Sequence, residues 1–202
     1  MKEKSKIFQL TLTAAFLAII LVMAFTPVGY LKVGIVEITF LVLPVALGAV
    51  TIGTGAASFL GLAFGATSFI QCFGMSAFGE AMLNISPFFA AVVCFVPRLL
   101  LGICAGLLFK ALSKTKMPAA VSCGITALCA SLINTVCFVG LLIVLFGKTE
   151  YIQSMMQSLG AKNLLLFGVA FAGVNSLVEA AANAVLGGAL GPVLLRLKRR
   201  VQ

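Results

Sequence analysis

From Asn163 to Leu195 the chain runs through about thirty mostly apolar residues, interrupted by Asn175, Glu179 and Asn183 at intervals of four. About 20 helical residues cover the hydrocarbon core of a bilayer, so this stretch is long enough to span one. The spacing puts the three polar side chains on a single helical face. An ionisable group at membrane depth costs a few kcal/mol or more unless it faces protein, a partner charge or a watery cavity. Glu179 is therefore expected to look inward, with the other helices packed around the stripe to enclose a small-molecule site. The competing reading is a neutral or hydrogen-bonded Glu179 that only ties helices together.

The rest of the chain suits that setting. Hydrophobic residues make up 62% and charged residues 9% of the 202 positions, whereas soluble domains sit near 45–50% and 25%. The sequence predicts an all-α integral membrane bundle of six transmembrane helices, forming one domain over residues 1–202. No soluble catalytic or nucleotide-binding domain fits beside it, and there is no GxxxxGK[ST] phosphate loop.

The formal charge of +9 invites a nucleic-acid reading, but the basic residues cluster at the ends of apolar runs. Lys2, Lys4 and Lys6 form one group, Lys110, Lys114 and Lys116 a second, and Arg196, Lys198, Arg199 and Arg200 a third. Basic flanks mark the cytoplasmic side, which places both termini inside and requires an even number of crossings. The charge reports topology and anionic headgroups, not nucleic acid. With no His and no Asp, five glutamates remain for all acidic chemistry, so neither a metal site nor an intramembrane enzyme is expected. The six cysteines form no CxxC pair and read as small buried hydrophobes. The basic, apolar N-terminal stretch is span-length and reads as a first helix, not as a removed signal peptide.

Helices are expected at about 7–25, 38–52, 55–70, 88–112, 119–146 and 163–195. Thr26 to Glu37 reads as an outside loop able to act as a lid, Gln71 to Pro87 as a semi-polar outside segment, and Gly147 to Lys162 as a loop with a short interfacial helix. Ala57, Gly61 and Gly65, and then Gly102 and Gly106, are spaced for close helix contact. Arg98 is the second charge inside an apolar run, at a depth that lets it meet Glu179. Arg98, Asn134, Asn175 and Glu179 are the deep candidates for substrate binding. Gln71, Ser76, Asn84 and Ser86 are candidates for the mouth. A purely structural Arg98–Glu179 pair is the alternative.

The block Ile38 to Ala49, Gly53, Gly55-Ala56-Ala57 and Leu60 to Gly65 resembles the substrate-binding S component of energy-coupling factor (ECF) transporters. Ala14-x-x-x-Ala18, Pro97-Arg98-Leu99 with Gly102, and the basic tail agree with it. The nearest group is that of the pantothenate, folate and hydroxymethylpyrimidine carriers. Relatives often carry a Pro and a basic residue between helices 2 and 3, where this chain has Gly53-Thr54-Gly55.

The resemblance implies capture of a vitamin from outside, at the cell membrane of a prokaryote. It also implies docking of Ala14, Ala15 and Ala18 on a membrane-embedded coupling subunit, two cytoplasmic ATPase subunits as further partners, and no cofactor. Pantothenate is the preferred vitamin because a lone buried Arg suits an acidic ligand. Folate, hydroxymethylpyrimidine and pyridoxine are alternatives, as is a stand-alone secondary carrier.

Overall fold

The computed structural model describes residues 2–26, 29–33 and 36–201. Eight helices follow in order: α1 (Lys2–Ala24), α2 (Val42–Thr51), α3 (Thr54–Gln71), α4 (Ala77–Ile85), α5 (Pro87–Leu112), α6 (Ala119–Phe146), α7 (Glu150–Ser158) and α8 (Leu164–Val201). Between α1 and α2 lies a small antiparallel hairpin, β1 (Tyr30–Val33) paired with β2 (Val36–Thr39), Tyr30 opposite Thr39. The helical bundle expected from the sequence is present, with this hairpin as an addition. Four helical stretches among the described residues are long and apolar enough to cross a membrane: Lys6–Ala24, Pro87–Leu112, Ala119–Phe146 and Ser176–Arg200.

The second expected helix needs correction. Residues 38–41 do not join it, so α2 begins at Val42 and has ten residues. At 1.5 Å per residue that is about 15 Å, half the hydrocarbon thickness. Val36-Glu37-Ile38-Thr39 is extended instead, and it carries the end of the hairpin down into the bundle. Non-helical backbone at membrane depth is tolerated only where protein or a cavity satisfies its polar groups.

Two helix pairs carry the bundle, α3 against α5 and α6 against α8, and α5 packs on α6 to join them. The first seam is closed by the small residues the sequence singles out. A Cβ on Gly61 would fall on the carbonyl oxygen of Arg98, and one on Gly102 would fall on that of Ala57. Only glycine permits so close an approach, and the contact fixes the depth of Arg98 between the helices.

Phe16, Ile20, Val45, Leu60, Phe64 and Leu101 form the main buried core, which joins α1, α2, α3 and α5. A second cluster brings Met82 of α4 and Ile152 of α7 onto Phe146, Phe167 and Phe171. The two short helices therefore cap the same end of the bundle. The connection carrying Lys114 and Lys116 and the basic end of α8 lie at the other.

The last helix is not one rod. Gly173 has φ 24° and ψ −133°, a conformation outside the helical region that breaks α8 six residues before Glu179. Glu179 thus sits on the part of α8 running from the break to the basic tail.

Candidate functional site

Three deep polar groups converge where α6, α8 and the hairpin meet. The Oε1 atom of Glu179 accepts from the Ser131 hydroxyl at 2.8 Å, and Oε2 accepts from the backbone N–H of Thr39 at 3.1 Å. The Asn183 side-chain amide donates to the Ser131 oxygen at 3.4 Å. Glu179 and Asn183 lie one helical turn apart on α8 and Ser131 faces them from α6, as the four-residue stripe requires. At the chain end of β2, in a sheet of two strands among the described residues, the Thr39 N–H takes its acceptor from Glu179.

Arg98 is held differently. Pro97 has no N–H, so the carbonyl of Val93, four residues back, lacks its helical donor. The Nη1 atom of Arg98 donates to that carbonyl at 2.8 Å. The guanidinium carbon lies 5.1 Å from the centre of the Phe64 ring and 5.0 Å from that of Phe138. Such stacking on ring faces favours a cation by about 0.5–2 kcal/mol. The adjacent Pro97 and Arg98 are thus a local unit in which one residue opens the gap that the other fills.

No ion pair joins Arg98 and Glu179 among the described residues. Glu179 is engaged by Thr39 and Ser131, and Arg98 by Val93 and two rings. Among the described residues, the buried side-chain polar atoms without a partner are Arg98 Nε, Asn134 Oδ1 and Asn183 Oδ1. Arg98 is 8% exposed and Asn134 5%. A buried polar group left unpaired costs about 1–3 kcal/mol, so two donor and acceptor sites are held unsatisfied at the depth of Arg98 and Asn134.

Aromatic rings connect this depth to the caps. Phe138, which touches Arg98, also meets Phe78 of α4 at 6.5 Å between centroids. Phe78 in turn meets Tyr151 of α7 at 6.1 Å and Phe171 of α8 at 5.4 Å. Partial burial holds the Tyr151 phenol above its ordinary pKa, so it stays a neutral donor.

The mouth candidates are placed apart from the deep group. The Gln71 amide donates to the backbone carbonyl of Ala24, tying the end of α3 to the end of α1. Ser76 and Ser86 cap α4 and α5 by accepting from Gly79 and Phe89 N–H groups. Asn84 is exposed on α4. The side chain of Asn175 lies outside the described residues. Ala14, Ala15 and Ala18 are exposed along α1, whose opposite side buries Phe16 and Ile20 in the core.

Sequence reasoning missed Ser131, Phe64, Phe138 and the backbone of Thr39. Ser131 had a signal, since it precedes Asn134 by three residues on α6 and so shares its face. The ring contacts to Arg98 come from α3 and α6 and have no local signature.

Comparison with known proteins bears on this arrangement. The family profile "ECF transporter, substrate-specific component" matches residues 8–188, which include every element from α1 to the greater part of α8. No curated protein matches the chain. With a membrane bundle in place and the profile spanning nearly its full length, the chain belongs to the family of ECF transporter substrate-specific components.

Proposed function

We propose that this substrate-specific component captures a small organic anion from outside the cell, at the depth of Arg98, and that the anion is a vitamin carboxylate. The observation that carries the reading is the state of Arg98: a buried guanidinium held between two rings, with no carboxylate partner among the described residues and with Nε unpaired. A cation so placed gains most from an anion it can meet with a forked contact, and charge-assisted hydrogen bonds of this kind contribute about 1.5–3 kcal/mol. The unpaired Asn134 Oδ1 calls for a ligand N–H or O–H.

Pantothenate, with a carboxylate, an amide N–H and hydroxyls, meets both requirements. Asn175 and Glu179 complete the polar wall in this reading, and Gln71 and Asn84 belong to the rim. The chain crosses the membrane six times with both termini inside, α3 and the extended β2 running into the short α2 supplying the two crossings beyond the four long apolar helices. The exposed Ala14, Ala15 and Ala18 are the docking face for a membrane-embedded coupling subunit, which works with two cytoplasmic ATPases. A cleft of about 490 Å³ at the basic end, lined by Lys6, Gln9, Thr13, Gly53 and Thr54, borders that face.

The test is equilibrium binding of radiolabelled pantothenate to the purified protein, with folate and pyridoxine as competitors, repeated with Arg98→Ala. Saturable binding that falls about tenfold or more in the variant, and that uncharged pyridoxine fails to displace, is the expected result. Equal affinity for pyridoxine, or unchanged binding in Arg98→Ala, would overturn the anionic reading.

A further inference from the structure

The function above leaves one close pair of thiols unused. The Sγ atoms of Cys72 and Cys94 lie 3.9 Å apart, and both residues are buried. Cys72 is the residue at which α3 ends, and its thiol also donates to the Ser68 carbonyl at 3.4 Å. Cys94 stands on α5 one turn before Arg98 and faces α3 across the glycine seam. At Gly79, in the first turn of α4, a Cβ would come within 2.8 Å of the Cys72 sulfur. The short cap thus closes directly over Cys72.

We propose that Cys72 and Cys94 form an oxidisable dithiol, a modification site at which a small organic disulfide is reduced and the two sulfurs become linked. One thiolate attacks a sulfur of R–S–S–R and expels RS⁻, giving a mixed disulfide on that cysteine. The second thiolate attacks the protein sulfur of that mixed disulfide and expels the other RS⁻. The two protons given up by the cysteines end on the two RS⁻ groups, so one R–S–S–R and two Cys–SH yield one Cys–S–S–Cys and two R–SH.

Geometry supports closure of the ring over addition of two separate caps. A disulfide needs its sulfurs about 2.05 Å apart, so the pair must close by about 2 Å. Cys94 is held inside a long helix, but Cys72 is followed by a turn in which Gly74 has φ 91°, and α4 begins only at Ala77. The movement therefore falls on the connection between α3 and α4. The other thiols do not form such a contact among the described residues.

The experiment uses the full-length chain purified in detergent, with Cys104, Cys123, Cys129 and Cys137 replaced by Ala, and the small apolar reagent 2,2′-dithiodipyridine. The expected result is a mass about 2 Da lower, a proteolytic fragment linking Cys72 to Cys94, and recovery of the starting mass on reduction. Adding Cys94→Ser should leave a single thiopyridyl adduct on Cys72 and no link. Peptide mapping of the chain with all its cysteines gives the same reading if the multiple replacement fails to fold. Two separate adducts, or free thiols in the folded protein under conditions where the unfolded chain reacts, would overturn the proposal.

Discussion

Thr39 and Glu179 lie 140 residues apart in the chain and are joined by one hydrogen bond, from the Thr39 backbone N–H to Oε2 at 3.1 Å. The bond holds the end of the hairpin in a buried position inside the bundle, where an unpaired N–H would be costly. Glu179 is therefore first a latch for the end of the hairpin, and its other oxygen is anchored by Ser131.

Replacing Glu179 with Gln keeps the shape but leaves one oxygen for two donors and turns an NH₂ toward one of them. The latch should weaken by about 1–3 kcal/mol. Amide exchange at Thr39 should then accelerate about tenfold for each 1.4 kcal/mol lost. Wild-type protection at Thr39 in this variant would rule the latch out.

Arg98 has a structural duty separable from ligand binding. Arg98→Ala leaves the Val93 carbonyl without a donor and should lower stability by about 1–3 kcal/mol. Adding Pro97→Ala restores a backbone N–H four residues after Val93 and should recover much of that loss. Binding of the anionic ligand should stay lost in the double variant. Thermal unfolding and ligand titration on the four proteins of the cycle check this, and additive stability losses would contradict it.

The α3–α5 seam sets a steep steric limit. Gly61→Leu drives a side chain into the backbone at Arg98 and should cost about 1–3 kcal/mol or more. Gly140→Ala is the matched control, because nothing lies within 4 Å of a Cβ there. The control should melt at or slightly above the wild-type temperature, since Ala favours a helix over Gly by about 1 kcal/mol.

Ala14→Trp and Ala18→Trp place bulk on an exposed face of α1. The isolated protein should melt within a degree or two of wild type, as surface changes usually cost under about 0.5 kcal/mol. Co-purification with the coupling subunit should be lost. A large drop in melting temperature would show that these residues pack within the chain.

Much of this arrangement was legible in the sequence. Helix α6 spans Ala119–Phe146, the bounds its apolar run predicts, because Pro118 and Gly147 punctuate it. The Ala57, Gly61, Gly65 and Gly102, Gly106 stripes pack as their spacing implies. The inward orientation of Glu179 follows from its cost in lipid. Less legible was residue 38 onward, where Val36-Glu37-Ile38-Thr39 merges into an apolar run that reads as helix, although a tertiary acceptor at Glu179 makes the extended form tenable. The expected meeting of Arg98 with Glu179 rested on depth alone. Depth along two helices says nothing of azimuth, and the Pro97 gap and the Phe64 and Phe138 rings give the guanidinium nearer partners.

The distance in sequence between Thr39 and Glu179 also orders biosynthesis. At about 5–20 residues per second, a ribosome needs roughly 7–28 s to add the 140 residues between them. Throughout that interval the hairpin has been made while its acceptor has not, so the earlier helices enter the bilayer before the Thr39–Glu179 bond can form. The hairpin takes its final seat only when the last helix arrives.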